Sequence, residues 1–570
     1  MTRNILKSSI QNASFSIIFQ VLFRCISFIL NAFIIRTVGQ DVLGIMNVRL
    51  LLLESTILFL SKEPLLKACL SNAKSHNWAQ VINLIWLSVP LSAALGLVLV
   101  YIWINILSPM DEIYFHQYKL GCYAIGVSCV VEQATQSAVL VAQSFCFVKL
   151  KIIIETVYIL GRTFVFVYLV VLYPNEAIHA FSLAQVLSAV LFCGLYYGFF
   201  AWYIPKLNTF KEGHKNDKDD LLYSDMADFP FRSLLNFFPG FMFNEVGFLG
   251  AKIIHQQLMK LNALQDKNID KKLLVLTVSF VKQSVIKQVL TEGEKYVMTI
   301  SPVLTFSQQS IYDIVNNLGS LAARFIFRPI EESAYFYFTQ MIQRDEPLKK
   351  QKMKNVAEAA EVLSQLCRVV TSIGLVVVIF GQSYSYTLLQ LYGGKKLVEI
   401  TLPTTLLQFH CFAIVLLAIN GVTEAYVFAT MNNKQLDKYN YMMVVFSITF
   451  LLISYLLTNI LGPVGFILAN CINMGGRIVH SLIFIKNKYL ETGYKPLEGL
   501  VPTSKFIAAL LLSGLCTKYS ELNLLPKSVI QHIGIGTIFL TLTIGVWAFE
   551  NQSLLKLGYE KYKQVSSKSD

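Results

Sequence analysis

About fourteen stretches of roughly 20 mostly apolar residues run through this chain, the length a helix needs to cross a hydrocarbon core about 30 Å thick. In lipid, every backbone N–H and C=O must find its partner within the protein, so such runs read as helices rather than isolated strands or loops. They cover residues 13–35, 42–61, 81–107, 120–142, 152–172, 178–202, 280–304 and 311–327, then 360–380, 404–428, 441–460, 464–485, 506–519 and 529–549. The seventh, eighth and thirteenth are charged or short. The expected fold class is an all-α polytopic membrane protein of about 14 transmembrane helices.

Hydrophobic residues make up 55% of the 570 and charged residues only 15%, too little polar surface to cover several soluble cores. The net charge of +13 would suit nucleic acid if the cations formed one face. They gather in short loops instead. Alternating sides from the first span, one set of loops collects roughly 32 Lys and Arg and the other roughly six, which places both termini in the cytosol. The first span is longer than a signal-peptide core and lacks a nearby cleavage pattern, so it is expected to stay. The 10 Cys form no CxxC pair, the 8 His form no HExxH, and neither a phosphate loop nor a nucleophile elbow occurs. Enzymatic chemistry, a metal and a cofactor are therefore not expected.

Residues 204–279 interrupt the spans. Their polar middle, KEGHKNDKDD at 211–220, reads as a cytosolic linker, and the apolar stretch 237–254 suits an interfacial helix. The organisation expected is a six-helix bundle at 1–203, the linker at 204–279, a second six-helix bundle at 280–486, and two extra helices with a tail at 487–570.

An ionisable side chain at bilayer depth costs about 2.5 kcal/mol or more, so each one asks for a reason. Arg24 lies about 16 Å into the first span, and Arg49 about 10 Å into the returning second span. Glu54, about 18 Å in, can neutralise only one of them. That surplus suits an anionic guest. Arg36 closes the first span at the opposite face. In the seventh span Lys287 and Glu294 share a helix face at i, i+7, and Glu292 can pair with Lys295 at i, i+3. The eighth carries Asp313 and Arg324. Helices charged in this way are expected to line a polar cavity. Glu155 and Arg162, i, i+7 on the fifth span, are expected to support each other.

Several words of the sequence resemble the Rft family, dolichol-linked oligosaccharide translocation proteins of the endoplasmic reticulum membrane. They are QVLFRCISFILNAFIIR (20–36), NVRL (47–50), LTEGEKYVMT (290–299), YDIVNNLGS (312–320), PIEES (329–333), LYGG (391–394), AINGVTE (418–424) and GFILAN (465–470). The close wording resembles an animal member. The resemblance implies two bundles in a V, as in the multidrug and polysaccharide exporters, and no enzymatic activity. It implies carriage of a heptasaccharide diphosphate dolichol lipid from the cytosolic to the lumenal leaflet for N-glycosylation. The expected partners are that lipid, the membrane and glycosylation-pathway proteins, with the chain acting as a monomer. Arg24, Arg36, Arg49, Lys287, Glu294, Lys295 and Arg324 are the candidate substrate-binding residues, and Glu54, Glu292 and Asp313 their supporting charges. The alternative function is an accessory factor that supports lumenal use of the lipid without moving it.

Overall fold

The structure, a computed structural model, describes residues 25–70, 77–107, 112–145, 147–213, 229–240, 269–300, 303–344 and 346–552. Among these residues every long element is a helix, and the chain divides into two compact units, Met1–Pro302 and Val303–Asp570. The first unit holds α1 Cys25–Thr37, α2 Gln40–Leu70, α3 Trp78–Asn105, α4 Glu112–Ala134, α5 Gln136–Ser144, α6 Val148–Leu172, α7 Ala177–Gly213 and α8 Lys271–Ile300. The second holds α9 Phe306–Ala322, α10 Arg328–Met341, α11 Met353–Gly393, α12 Leu402–Thr430, α13 Asn433–Leu461, α14 Val464–Tyr489, α15 Ser504–Asn523 and α16 Val529–Glu550.

Among the described residues ten helices are long and apolar enough to cross a membrane, and two more if each bent pair counts as one span. The α4–α5 pair, bent by 43°, is one of these. Among the described residues the count of fourteen is thus not confirmed. Most of the first expected span lies outside the described residues, and α9, at 17 residues, is too short on its own. A π-turn at Ala323–Phe327 joins α9 to α10 without a loop. The unit boundary also differs from the one expected at 279–280: it follows Pro302, because α8 packs along α2. Thr56 shares a 2.7 Å hydrogen bond with Tyr296, and the Gln288 amide donates to the Ser55 hydroxyl. Two such bonds in an apolar setting fix the register of a helix pair.

Local chemistry sets the element ends. Thr305 and Asn432 open α9 and α13 with capping boxes, each satisfying orphan N–H groups. Gly462, at φ 60°, ends α13 in the left-handed region that other residues avoid, and Pro463 then starts α14. The two C-terminal helices are held to α11 by polar links. Trp547 donates to Ser372, Tyr384 to the His532 carbonyl, and Ser383 to Thr517.

The segment 229–240 is where the linker expectation changes. Phe229, Phe231 and Phe237 are buried among Phe145, Phe147, Phe200 and Tyr203, which belong to the α5–α6 junction and α7. Trp86 donates to the Phe237 carbonyl at 2.8 Å, and Asn83 accepts from the Gly240 N–H at 2.9 Å. The segment is a strap closing one end of the first unit. The rest of the expected interfacial stretch, from residue 241 on, lies outside the described residues.

Candidate functional site

The first unit concentrates its buried charge on α2. A π-turn at Ile45–Leu50 widens that helix and carries Arg49, only 2% exposed, against Tyr118 and Cys122 of α4. Trp103 of α3 donates to the Arg49 carbonyl at 3.1 Å, and Tyr118 donates to the Trp103 carbonyl at 3.2 Å. One turn further on, buried Glu54 accepts from Gln185 of α7 at 2.7 Å and from Arg162 of α6 at 3.4 Å. Arg162 also donates to the Gln185 amide oxygen at 3.0 Å. Lower on the same helix, Lys62 reaches Glu132 of α4 at 3.5 Å.

Two sequence expectations are corrected here. Glu54, expected to neutralise one of Arg24 and Arg49, is paired with Arg162, and Arg162 turns away from Glu155, which meets Lys151 at 3.8 Å. The reason is solvation. Glu155 keeps about half its side chain exposed and needs little help, whereas buried Glu54 requires donors. Helical spacing within α6 could not reveal a partner on another helix.

Arg24 lies outside the described residues, and Arg36 is exposed at the end of α1. Lys287 turns to Glu63 of α2 at 3.7 Å and lies over the Phe59 ring. Lys295 pairs with Glu292 at 3.3 Å, as their spacing predicts, and Glu294 is half-buried on the same turn. Asp313, buried in the second unit, accepts from Asn317 at 3.1 Å. Arg324 falls in the π-turn between α9 and α10, and its side chain lies outside the described residues. The structure therefore brings Arg49 and Glu54 onto one helix and sets Lys287, Glu292, Glu294 and Lys295 along α8 beside it.

Sequence reasoning missed a second polar centre, in the second unit. Glu424 of α12 accepts from Tyr439 of α13 at 2.5 Å, from Asn420 at 3.2 Å, and from Arg477 of α14. Tyr439 stacks on His480, also of α14, with ring centroids 4.8 Å apart. Of this centre only Glu424 stands among the sequence words quoted above, as the last residue of AINGVTE (418–424). Arg477, midway along the twelfth apolar run, was the available signal for its partner.

The family model described as "Rft protein" matches residues 8–561. A Drosophila melanogaster protein named Man(5)GlcNAc(2)-PP-dolichol translocation protein RFT1 is 48% identical over 577 residues, covering 99% of this chain and 100% of the relative. A Xenopus tropicalis protein of the same name is 40% identical over 559 residues, covering 97% and 96%. Among solved structures, a multidrug resistance MATE family transporter of the MOP superfamily aligns with a TM-score of 0.51 at 10% identity, over 81% of this chain and 94% of that one. At that identity the likeness speaks for the fold alone.

Proposed function

Because the chain belongs to the Rft protein family, we propose that it serves the translocation of Man(5)GlcNAc(2)-PP-dolichol, the lipid-linked oligosaccharide named for its relatives. The observation that carries this reading is the end-to-end match at 48% identity to a relative so named. The chemistry is consistent with it. The substrate joins a diphosphate to a long apolar tail, and the chain combines membrane-spanning helices with cations placed among them. We place it in the endoplasmic reticulum membrane with both termini cytosolic, acting as a monomer beside other proteins of N-glycosylation.

Arg24, Arg36, Lys287, Lys295 and Arg324 are our candidates for the diphosphate and the first sugars, with Glu294 as a hydrogen-bond acceptor for glycan hydroxyls. Arg36 and Lys287 are the exposed cations among the described members of this set. Arg49 is enclosed in its unit and would meet a diphosphate only after rearrangement. Glu54, Glu292 and Asp313 act as supporting charges.

Two measurements test the proposal. Cells depleted of the protein should accumulate the heptasaccharide lipid, and re-expression should clear it; unchanged lipid-linked oligosaccharide levels would overturn the assignment. Purified protein in liposomes should then move the lipid between leaflets. Accumulation in cells without movement in liposomes would select the accessory-factor reading instead.

A further inference from the structure

Two of the sequence words quoted above, PIEES (329–333) and AINGVTE (418–424), meet in the second unit. The Glu331 side chain of α10 lies on the backbone of Gly421 in α12, so closely that a β-carbon added to Gly421 would fall 1.6 Å from Glu331 Oε1. A glycine is required at 421 for that carboxylate to be there. Three residues along α12 on the same side stands Glu424, whose carboxylate is already engaged by donors on three helices: Asn420, Tyr439 and Arg477. Glu331 is half-buried, and among the described residues no hydrogen bond or ion pair reaches it.

The charges do not balance. Glu331 faces Glu424 from α12 and Arg477 from α14, while on its own helix Arg328 is bound to Glu332 at 3.0 Å. Tyr439 and Lys438 of α13 and His480 of α14 complete the titratable surroundings on that side. From α11, Glu358 and Glu361 sit by Tyr337, nearly two turns further along α10. Arg324, seven residues earlier on the continuous helix, has its side chain outside the described residues. The charges acting on Glu331 are Glu424, Glu332, Arg328 and Arg477, which with Glu331 itself leave a net charge of −1, while Lys438 acts on His480. A partly buried carboxylate lacking a donor is relieved by neutralisation.

We propose that Glu331 is a proton-binding residue, taking up one proton from water beside the Glu424–Arg477 pair. Uptake neutralises the cluster and leaves Arg477 to Glu424 alone. With the proton released, two carboxylates compete for that guanidinium, whose buried Nε has no partner among the described residues. Proton binding is thereby linked to how α10, α12 and α14 pack.

The test is infrared difference spectroscopy on the full-length protein in lipid, comparing acidic with alkaline buffer. Wild type should show a carboxylic-acid C=O signal that disappears as pH rises. Glu331→Gln should lose it, and Glu332→Gln should keep it. Should Glu331→Gln misfold, Gly421→Ala serves, since its new methyl takes the place of Oε1 and drives the carboxylate into water. An unchanged signal in either folded variant overturns the proposal, as does a wild-type protein with Glu331 ionised throughout, the result expected if Arg324 neutralises it. The readout does not involve transport, so it stands or falls apart from the function proposed above.

Discussion

Arg162 of α6 reaches across the first unit to Glu54 of α2, 108 residues earlier in the chain, and Gln185 of α7 bonds to both. Three helices are thereby tied at one depth by a carboxylate, a guanidinium and an amide. Removing one partner of a buried pair leaves the other charge stranded, at a cost of about 3–5 kcal/mol. Arg162→Met should therefore lower the thermal unfolding midpoint in detergent sharply. Arg162→Met with Glu54→Met, which replaces both charges by apolar groups, should recover most of the loss. If the double variant is as unstable as the sum of the singles, the pair is not the stabilising unit.

The same pairing bears on Arg24. With Glu54 satisfied by Arg162, Arg24→Ala should give an inserted, folded protein with impaired glycosylation. A lost Arg–phosphate contact is worth about 1.5–3 kcal/mol, or roughly 10- to 150-fold in binding. Arg24→Lys should restore part of the activity, keeping the charge without the bidentate fork. Arg24→Ala with Glu54→Ala should show no recovery in complemented cells. Full recovery would make Arg24 the partner of Glu54 and remove it from the substrate site.

Gly499 shows where space is fixed by backbone. A β-carbon there would lie 1.8 Å from the Ser364 carbonyl oxygen of α11, an atom that cannot swing aside. Gly499→Ala should cost about 1–3 kcal/mol through forced separation of the 496–500 turn from α11. Gly545→Ala in α16, with nothing within 4 Å, should change stability by less than about 0.5 kcal/mol. Unfolding midpoints of the two variants, measured side by side, give the comparison.

The strap depends on aromatic burial. Phe231 is fully buried, with Trp78 edge-on at 5.6 Å and Phe237 at 4.9 Å. Phe231→Ala should destabilise the first unit by about 3–5 kcal/mol. It should also shift tryptophan emission to the red as water reaches Trp78. An unshifted spectrum with unchanged stability would show that the strap does not hold this end of the unit.

What the sequence by itself determined was the solvent and the repeat: long apolar runs admit only helices in lipid, and their spacing gave ten of the spanning helices directly. It also determined pairs within one helix, since i, i+3 spacing places Glu292 against Lys295 whatever surrounds them. Tertiary structure alone decided the rest. Whether Glu54 meets Arg49 or Arg162, whether α8 joins the first unit or the second, and whether Phe231 lies on a surface or in a core depend on which helices become neighbours. That choice rests on close packing and on polar bonds between segments more than a hundred residues apart, such as Thr56 with Tyr296, which hydropathy along the chain cannot record.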